Sequence, residues 1–367
     1  KKVMILDTVS RLSRYAALNP LFLLVAEYLR RSDLNLMADI AEEVGRSYGY
    51  NEIPTTAFKT STQGGYSPIM EFENKTGVLC RGLGFSEIIT YSFVSPSIFD
   101  QIRLPKDSPL RNALKIQNPL GEDTSIMRTI ALPSMLDILS RNYAYHNKAV
   151  KLYELAKIYL PQEGQPLPRE PKMLVLGSYG AHETFFRLKG EVEAIFTALN
   201  LPKAEYEAEA NHPAFHPGRC AKVSMGGKVL GYLGQIHPLV AKNYGIDGEI
   251  YCAELDLTDA FALRLPDPTY HPLPKYPGVS RDLAIVCDEN ITVAQAEAVI
   301  SAAGGKLLRS VKLFDVYRGI GVPENKKSLA FSLELRADDR TLTDADSEGT
   351  VAKILAALAE KLNATLR

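Results

Sequence analysis

RCAKVSMGGKVLGYLGQI, residues 219–236, decides the fold class. Two strand-like runs flank Gly226-Gly227, and a two-residue glycine turn joins strands that run antiparallel. Further stretches of the same character lie on either side: FSEIITYSFVS (85–95), VKLYELAKIYL (150–160), KMLVLGSYG (172–180) and EIYCAELDL (249–257). Each is rich in β-branched and aromatic residues and bounded by turn residues, so each reads as a strand. Between them Leu188, Val192, Ile195, Phe196 and Leu199 repeat at helical spacing. An antiparallel sheet with helices set against it is α+β, not a doubly wound fold.

The proline-rich LPDPTYHPLPKYPG (265–278) is a stiff connector, and a second pattern begins after it. RDLAIVCDE reads as a strand, and TVAQAEAVISAAGG as a helix opened by a Thr292/Gln295 capping box and ending at Gly304. LLRSVKLFDVY is a strand, and KKSLAFSLELRA alternates Leu329, Phe331, Leu333 and Leu335. A last helix starts at a Thr343/Asp346 box and buries Val351, Ile354, Leu355, Leu358 and Leu362. With a short closing segment this is the βαββαβ order of a ferredoxin-like domain. Upstream, Leu36, Ile40, Val44 and Tyr48 mark a helix, and the polar TTAFKTSTQGGYS (55–67) reads as a linker. The expected division is a partial small helical domain at 1–55, a core at 56–267 and the ferredoxin-like domain at 271–367.

A chain of 367 residues is long enough for two or three domains, and 46% apolar with 23% charged residues is globular composition. The net charge of −1 supplies no global field toward nucleic acid or acidic lipid, so any RNA contact must be local. Cys80, Cys220, Cys252 and Cys287 are far apart and read as buried, reduced thiols. No apolar run is long enough to span a bilayer and no signal-peptide pattern opens the chain, which makes the cytoplasm the expected location. The opening KKVMILDTVS lacks an initiator Met and reads as part of something longer.

Four acids, Asp33, Asp39, Glu42 and Glu43, crowd one short segment. The last three share one side of a helix, and an oxygen-only set suits Mg²⁺. Acids near a helix N-terminus equally complement its dipole with no metal at all. HPAFHPGR (212–219) has His-x-x-x-His spacing, but Pro213 and Pro217 work against a helical zinc site. NPLGEDTSIMRT (118–129), with Glu122, Asp123 and Arg128, is ordinary turn chemistry able to hold a substrate. No P-loop or dinucleotide fingerprint occurs. In the last domain Lys275, Tyr276 and Arg281 are followed by Lys306, Arg309, Lys312, Tyr317, Arg318, Lys326 and Lys327. Aromatics to stack bases and cations to hold a backbone suit single-stranded RNA. Against this, residues 271–367 hold thirteen basic and thirteen acidic side chains.

Three blocks carry a resemblance to a known family. They are SDLNLMADIAEEVGRSYGYNEIP; then NPLGEDTSIMRTIALPSMLDILSRN, KLYELAKIYLP, FFRLKGEVEAIF and HPGRCAKV with LGYLGQIHP; then YPGVSRDLAIV, VKLFDVYRG, KKSLAFSLELRADDRTLTD and the closing LR. Together they resemble the β-subunit of bacterial phenylalanyl-tRNA synthetase: the end of its small helical domain, its class II synthetase-like core and its ferredoxin-fold anticodon-binding domain. The resemblance implies an α2β2 ligase whose α-subunit activates phenylalanine with ATP and charges tRNA(Phe), while this chain supplies scaffold and tRNA binding. It implies no catalytic residue here. KLYELAKIY has Lys151 and Glu154 where class II ATP sites place Arg-x-Glu, and GYLGQIHP ends in His237-Pro238 where they place an arginine. It also implies that Asp33, Asp39, Glu42 and Glu43 ligate a Mg²⁺ shared with the α-subunit. Residues 1–30 depart from the family pattern, and its editing domain has no counterpart in this sequence, so proofreading is not assigned to it. A stand-alone Mg²⁺-dependent hydrolase and a pure protein-interaction module are the competing readings.

Overall fold

A computed structural model of the chain describes residues 36–57 and 64–367. It divides into two compact units, the second running Leu265–Arg367.

In the first unit, α1 (Met37–Tyr48) is followed by a single 3₁₀ turn at Tyr50–Glu52. α2 (Pro68–Gly82) is opened by the Ser67 hydroxyl, which accepts from the Met70 N–H, with proline at the first helical position where no donor is missed. Short pieces follow: β1 (Ser86–Glu87), β2 (Phe93–Val94), α3 (Ile98–Gln101) and β3 (Ile126–Met127). α4 (Leu132–Ala144), β4 (Val150–Lys157), β5 (Lys172–Tyr179) and α5 (Phe185–Ala198) come next. β6 (Glu205–Ala208), β7 (Phe215–Met225), β8 (Lys228–Ile236), α6 (Pro238–Asn243), β9 (Ile250–Asp256) and α7 (Leu257–Ala262) complete the unit.

Seven strands form one sheet in the order β1-β4-β5-β9-β8-β7-β6. Every neighbouring pair is antiparallel except β1 with β4. The Gly226-Gly227 turn sits where the sequence puts it: Met225 pairs with Lys228, and φ values of 56° and 78° are those a primed hairpin turn requires.

One expected strand is absent. Residues 85–95 are not a single strand but two separate two-residue pieces, β1 on the large sheet and β2 paired with β3. Thr90, midway, donates both its N–H and its hydroxyl to the buried Glu154, so its backbone leaves the ladder for a side-chain partner.

The sheet is covered on both faces, as alternation along β5 shows. Val175 joins the core built with α4 and α6, whereas Leu174 and Leu176 join the one built with α2, α5 and α7. All four cysteines are free and buried in the cores or helix packing.

The second unit runs β10 (Val279–Asp288), α8 (Val293–Gly304), β11 (Leu308–Tyr317), β12 (Lys326–Leu335), α9 (Asp344–Leu362) and β13 (Thr365–Leu366). Strand order is β11-β12-β10-β13, all antiparallel, which is the ferredoxin-like arrangement. Both expected capping boxes form, Thr292 with Gln295 and Thr343 with Asp346. Leu283, Ile285, Leu329, Phe331 and Leu333 pack with Ile300, Ile354 and Leu358 of the helices, so one sheet face is covered.

Candidate functional site

The face of the second unit's sheet away from the helices is set by strand register. Lys312 pairs with Ser332, Asp315 with Ala330 and Tyr317 with Ser328, while Ala284 lies opposite Ala330 on β10. These positions alternate with the core residues, so small side chains floor the face and Lys312, Asp315 and Tyr317 rim it. A bulge at Phe314, between Leu313 and Asp315, bends this edge strand. The Arg367 guanidinium stands 4.7 Å from the Tyr317 ring centroid, and its backbone N–H donates to the Ala284 carbonyl. A Cβ on Gly319 would lie 2.9 Å from the Tyr317 hydroxyl, so glycine lets the following turn fold against that ring.

Among the RNA-contact residues read from the sequence, Lys312 and Tyr317 lie on this face. Arg318, just past the strand, is held bidentate by Glu289, with Nη2 donating to Oε1 at 2.6 Å and Nε to Oε2 at 3.1 Å. Arg281 faces the helices and donates to Asp344 at 3.0 Å and to the Ser347 hydroxyl. Lys275 and Tyr276 stack on each other ahead of β10, 5.7 Å from ammonium to ring centroid. Lys327 is buried, with its ammonium on the Glu289 carbonyl. Arg367 was not singled out as a contact, because nothing local in a closing Leu-Arg reports a ring facing it across the sheet.

The acid segment is described in part. Asp33 lies outside the described residues. Asp39, Glu42 and Glu43 stand on α1; the Asp39 carboxylate accepts from the Leu36 N–H at 2.7 Å, and Glu43 pairs with Arg46. Among the described residues no three acids, histidines or cysteines converge as a metal group. The donors are of the right kind for Mg²⁺, but Asp39 is turned to the helix start and Glu43 to an arginine.

A buried polar cluster occupies the centre of the first unit. Glu154 on β4 and Glu254 on β9 flank Val175 of β5 in register. Arg128 is almost wholly buried, and its guanidinium donates to Glu154 at 3.2 Å, to the Thr90 hydroxyl at 2.6 Å and to the Lys157 carbonyl at 2.8 Å. Glu254 accepts from the Ala131 N–H at 2.7 Å, at the start of α4. Burial pushes the Glu254 carboxyl up to about 7, against the lowering effect of the Ala131 and Leu132 backbone N–H groups and of Arg128. Arg128 is thereby spent on the protein itself, so the loop residue that the sequence left able to hold a substrate is a structural tie. The His-x-x-x-His pair is likewise no zinc site: each ring takes a local backbone N–H, and burial pulls His212 down to about 4.

The family model described as the phenylalanyl-tRNA synthetase beta chain CLM domain matches residues 53–257, and that of the ferredoxin-fold anticodon-binding domain matches 274–367. The chain belongs to the phenylalanyl-tRNA synthetase β-chain family. It is 46% identical over 339 residues to the phenylalanine–tRNA ligase β subunit of Clostridium tetani, and 43% identical to that of Clostridium acetobutylicum. Each match covers 92% of this chain and 43% of the relative, so the chain spans less than half the length of these β-chain relatives. A pyrrolysyl-tRNA synthetase from Desulfitobacterium hafniense overlaps 53% of the chain at 18% identity, with a TM-score of 0.44. No helix among the described residues of this β-chain family member is long and apolar enough to cross a membrane.

Proposed function

We propose that this chain is the tRNA-holding, assembly-forming part of a phenylalanine–tRNA ligase β-subunit. The observation that carries the reading is the uncovered sheet face of the second unit, where a small-residue floor is rimmed by Lys312, Tyr317 and Arg367. An aromatic ring and cations beside a floor without bulk suit unstacked bases of a single-stranded loop. Its position within an anticodon-binding family match, in a chain of the phenylalanyl-tRNA synthetase β-chain family, supports tRNA(Phe) as the RNA.

In this reading phenylalanine activation with ATP and transfer to tRNA belong to an α-subunit in an α2β2 assembly. This chain carries no catalytic residue, and its own polar centre supports that, since Arg128, Glu154 and Glu254 are already paired internally. Asp33, Asp39, Glu42 and Glu43 would hold a Mg²⁺ completed by the α-subunit, a metal that joins subunits and performs no chemistry. Three domains and cytoplasmic residence belong to the same proposal.

Crosslinking of tRNA(Phe) to the assembled enzyme, with and without residues 271–367, tests the RNA role. Loss of anticodon-loop crosslinks on deletion supports it, and an unchanged pattern leaves a protein-interaction module instead. Phenylalanine-dependent ATP–pyrophosphate exchange by this chain alone would overturn the assignment of chemistry to the partner.

A further inference from the structure

At one end of the seven-stranded sheet, Phe215 of β7 pairs with Ile236 of β8, and the His237 N–H donates to the Ala214 carbonyl at 2.9 Å. His216 and His237 therefore flank a single strand pair. Both rings are fixed in the same way. The His216 Nδ1 accepts the Gly218 N–H at 3.0 Å, and the His237 Nδ1 accepts the Leu239 N–H at 3.1 Å. A neutral imidazole has one acceptor nitrogen and one donor. With Nδ1 accepting, each ring carries its proton on Nε2, and neither Nε2 has a hydrogen-bond partner among the described residues. Two such donors disfavour a metal ion, which needs the Nε2 lone pair, and favour an acceptor.

The third group comes from α3. Arg103 follows that helix with φ 61°, the left-handed region that glycine or asparagine occupies without strain. Its side chain is exposed and has no ion-pair or hydrogen-bond partner among the described residues. The end of α3 is tied to α6, which begins beside His237, through the Asn243 amide on the Gln101 carbonyl at 2.7 Å. A long cation on a backbone that disfavours it, with nothing of its own to bind, is an outlier that asks for a ligand. We propose that Arg103, His216 and His237 form a receptor for a phosphate oxyanion.

The surroundings agree in charge. Arg219, the other nearby cation, is held by Glu249 at 2.7 Å, and Glu249 also takes the Tyr251 hydroxyl. With both rings neutral, Arg103 leaves the cluster one positive charge. Burial, then the charge of Arg103, then that of His216 holds His237 below the ordinary imidazole range. A bound anion reverses the last two effects, so affinity rises as pH falls through the titration of that ring. Glu249 faces His216 and limits the rise.

The phosphate has two possible sources, the backbone of RNA and a free phosphate. Imidazole ¹⁵N–¹H spectra of the full chain, titrated with inorganic phosphate, read the receptor directly. Saturable shifts at His216 and His237, without shifts at the exposed His146 and His271, are expected. Arg103→Gly removes the cation and relieves the backbone, so it weakens phosphate about tenfold while thermal stability holds or rises. A merely structural arginine would show the reverse. A second titration with a short RNA hairpin separates the sources. RNA acting at lower phosphate concentration than the free ion, with a salt slope reduced by about one in Arg103→Gly, assigns the receptor to RNA; phosphate alone acting assigns it to the free ion. No response of His216 and His237 to either ligand overturns the proposal. Because the readout does not involve the second unit, it stands or falls independently of the tRNA assignment.

Discussion

Arg128 shows what burial does to a single charge. Its guanidinium is surrounded by Glu154, Thr90 and the Lys157 carbonyl, and removing it leaves Glu154 charged and enclosed. Arg128→Met is expected to cost about 3–5 kcal/mol, measured by denaturant unfolding of the first unit; a loss below about 1 kcal/mol would show that water reaches the pair. Glu254 gives a pH signature. Its folded pKa, about 7, lies above the ordinary carboxylate value, so its share of stability is complete below the unfolded pKa and lost as pH rises through the folded one. Glu254→Gln removes that titration and keeps an acceptor for the Ala131 N–H. The variant should gain stability relative to the parent as pH rises from about 4.5 to about 7, by up to about 1.4 kcal/mol per pH unit, and level off above that. A difference independent of pH would mean that Glu254 stays ionised when folded. In sequence, Arg128 is one polar residue in a turn-rich loop, and nothing local separates a substrate-binding arginine from one buried by strands twenty-six and more positions away.

At the scale of elements, local chemistry carried much of the reading. The Thr292/Gln295 and Thr343/Asp346 boxes, the Gly226-Gly227 turn and the alternation of Leu329 to Leu335 all rest on contacts within a few residues, and all form. Thr343→Ala removes the acceptor for the Asp346 N–H at the start of the chain's longest described helix. A loss of about 1 kcal/mol in the unfolding of the second unit is expected, and no loss would mean that Asp346 alone sustains the cap. The stretch 85–95 misled because its composition is strand-like while Thr90 is claimed by Glu154, a partner sixty-four positions away. β8 depends on a similar distant fact. A Cβ at Gly231 would fall 1.9 Å from the Glu254 carbonyl oxygen, so that glycine is demanded by its neighbour strand, not by a turn.

For the whole molecule the question is which surfaces meet partners. On the proposed tRNA-holding role, Tyr317→Ala should weaken tRNA(Phe) binding by the assembled enzyme roughly tenfold, as loss of one base–aromatic stack does. Arg281→Ala, on the covered side of the same sheet and paired with Asp344, should change it little. Filter binding of the two variants in parallel checks this, and equal effects would move the RNA surface off the open face. The linear order of motifs was enough to recognise the family, because each block is contiguous. It was not enough to sort the cations of the last domain. Lys312 and Arg281 look alike in sequence, and register places one on the open face and turns the other toward α9.

The sequence by itself determined the fold class, the two successive α+β patterns, the caps, the hairpin and the family, since each is written in short-range periodicity and turn chemistry. Tertiary structure alone decided which charges are spent. Arg128 and Glu254 are enclosed by strands, Arg318 is matched by Glu289, and Arg103 has no ion-pair partner among the described residues. Burial and ion pairing depend on what the folded chain brings within a few ångströms, and sequence spacing does not encode that distance.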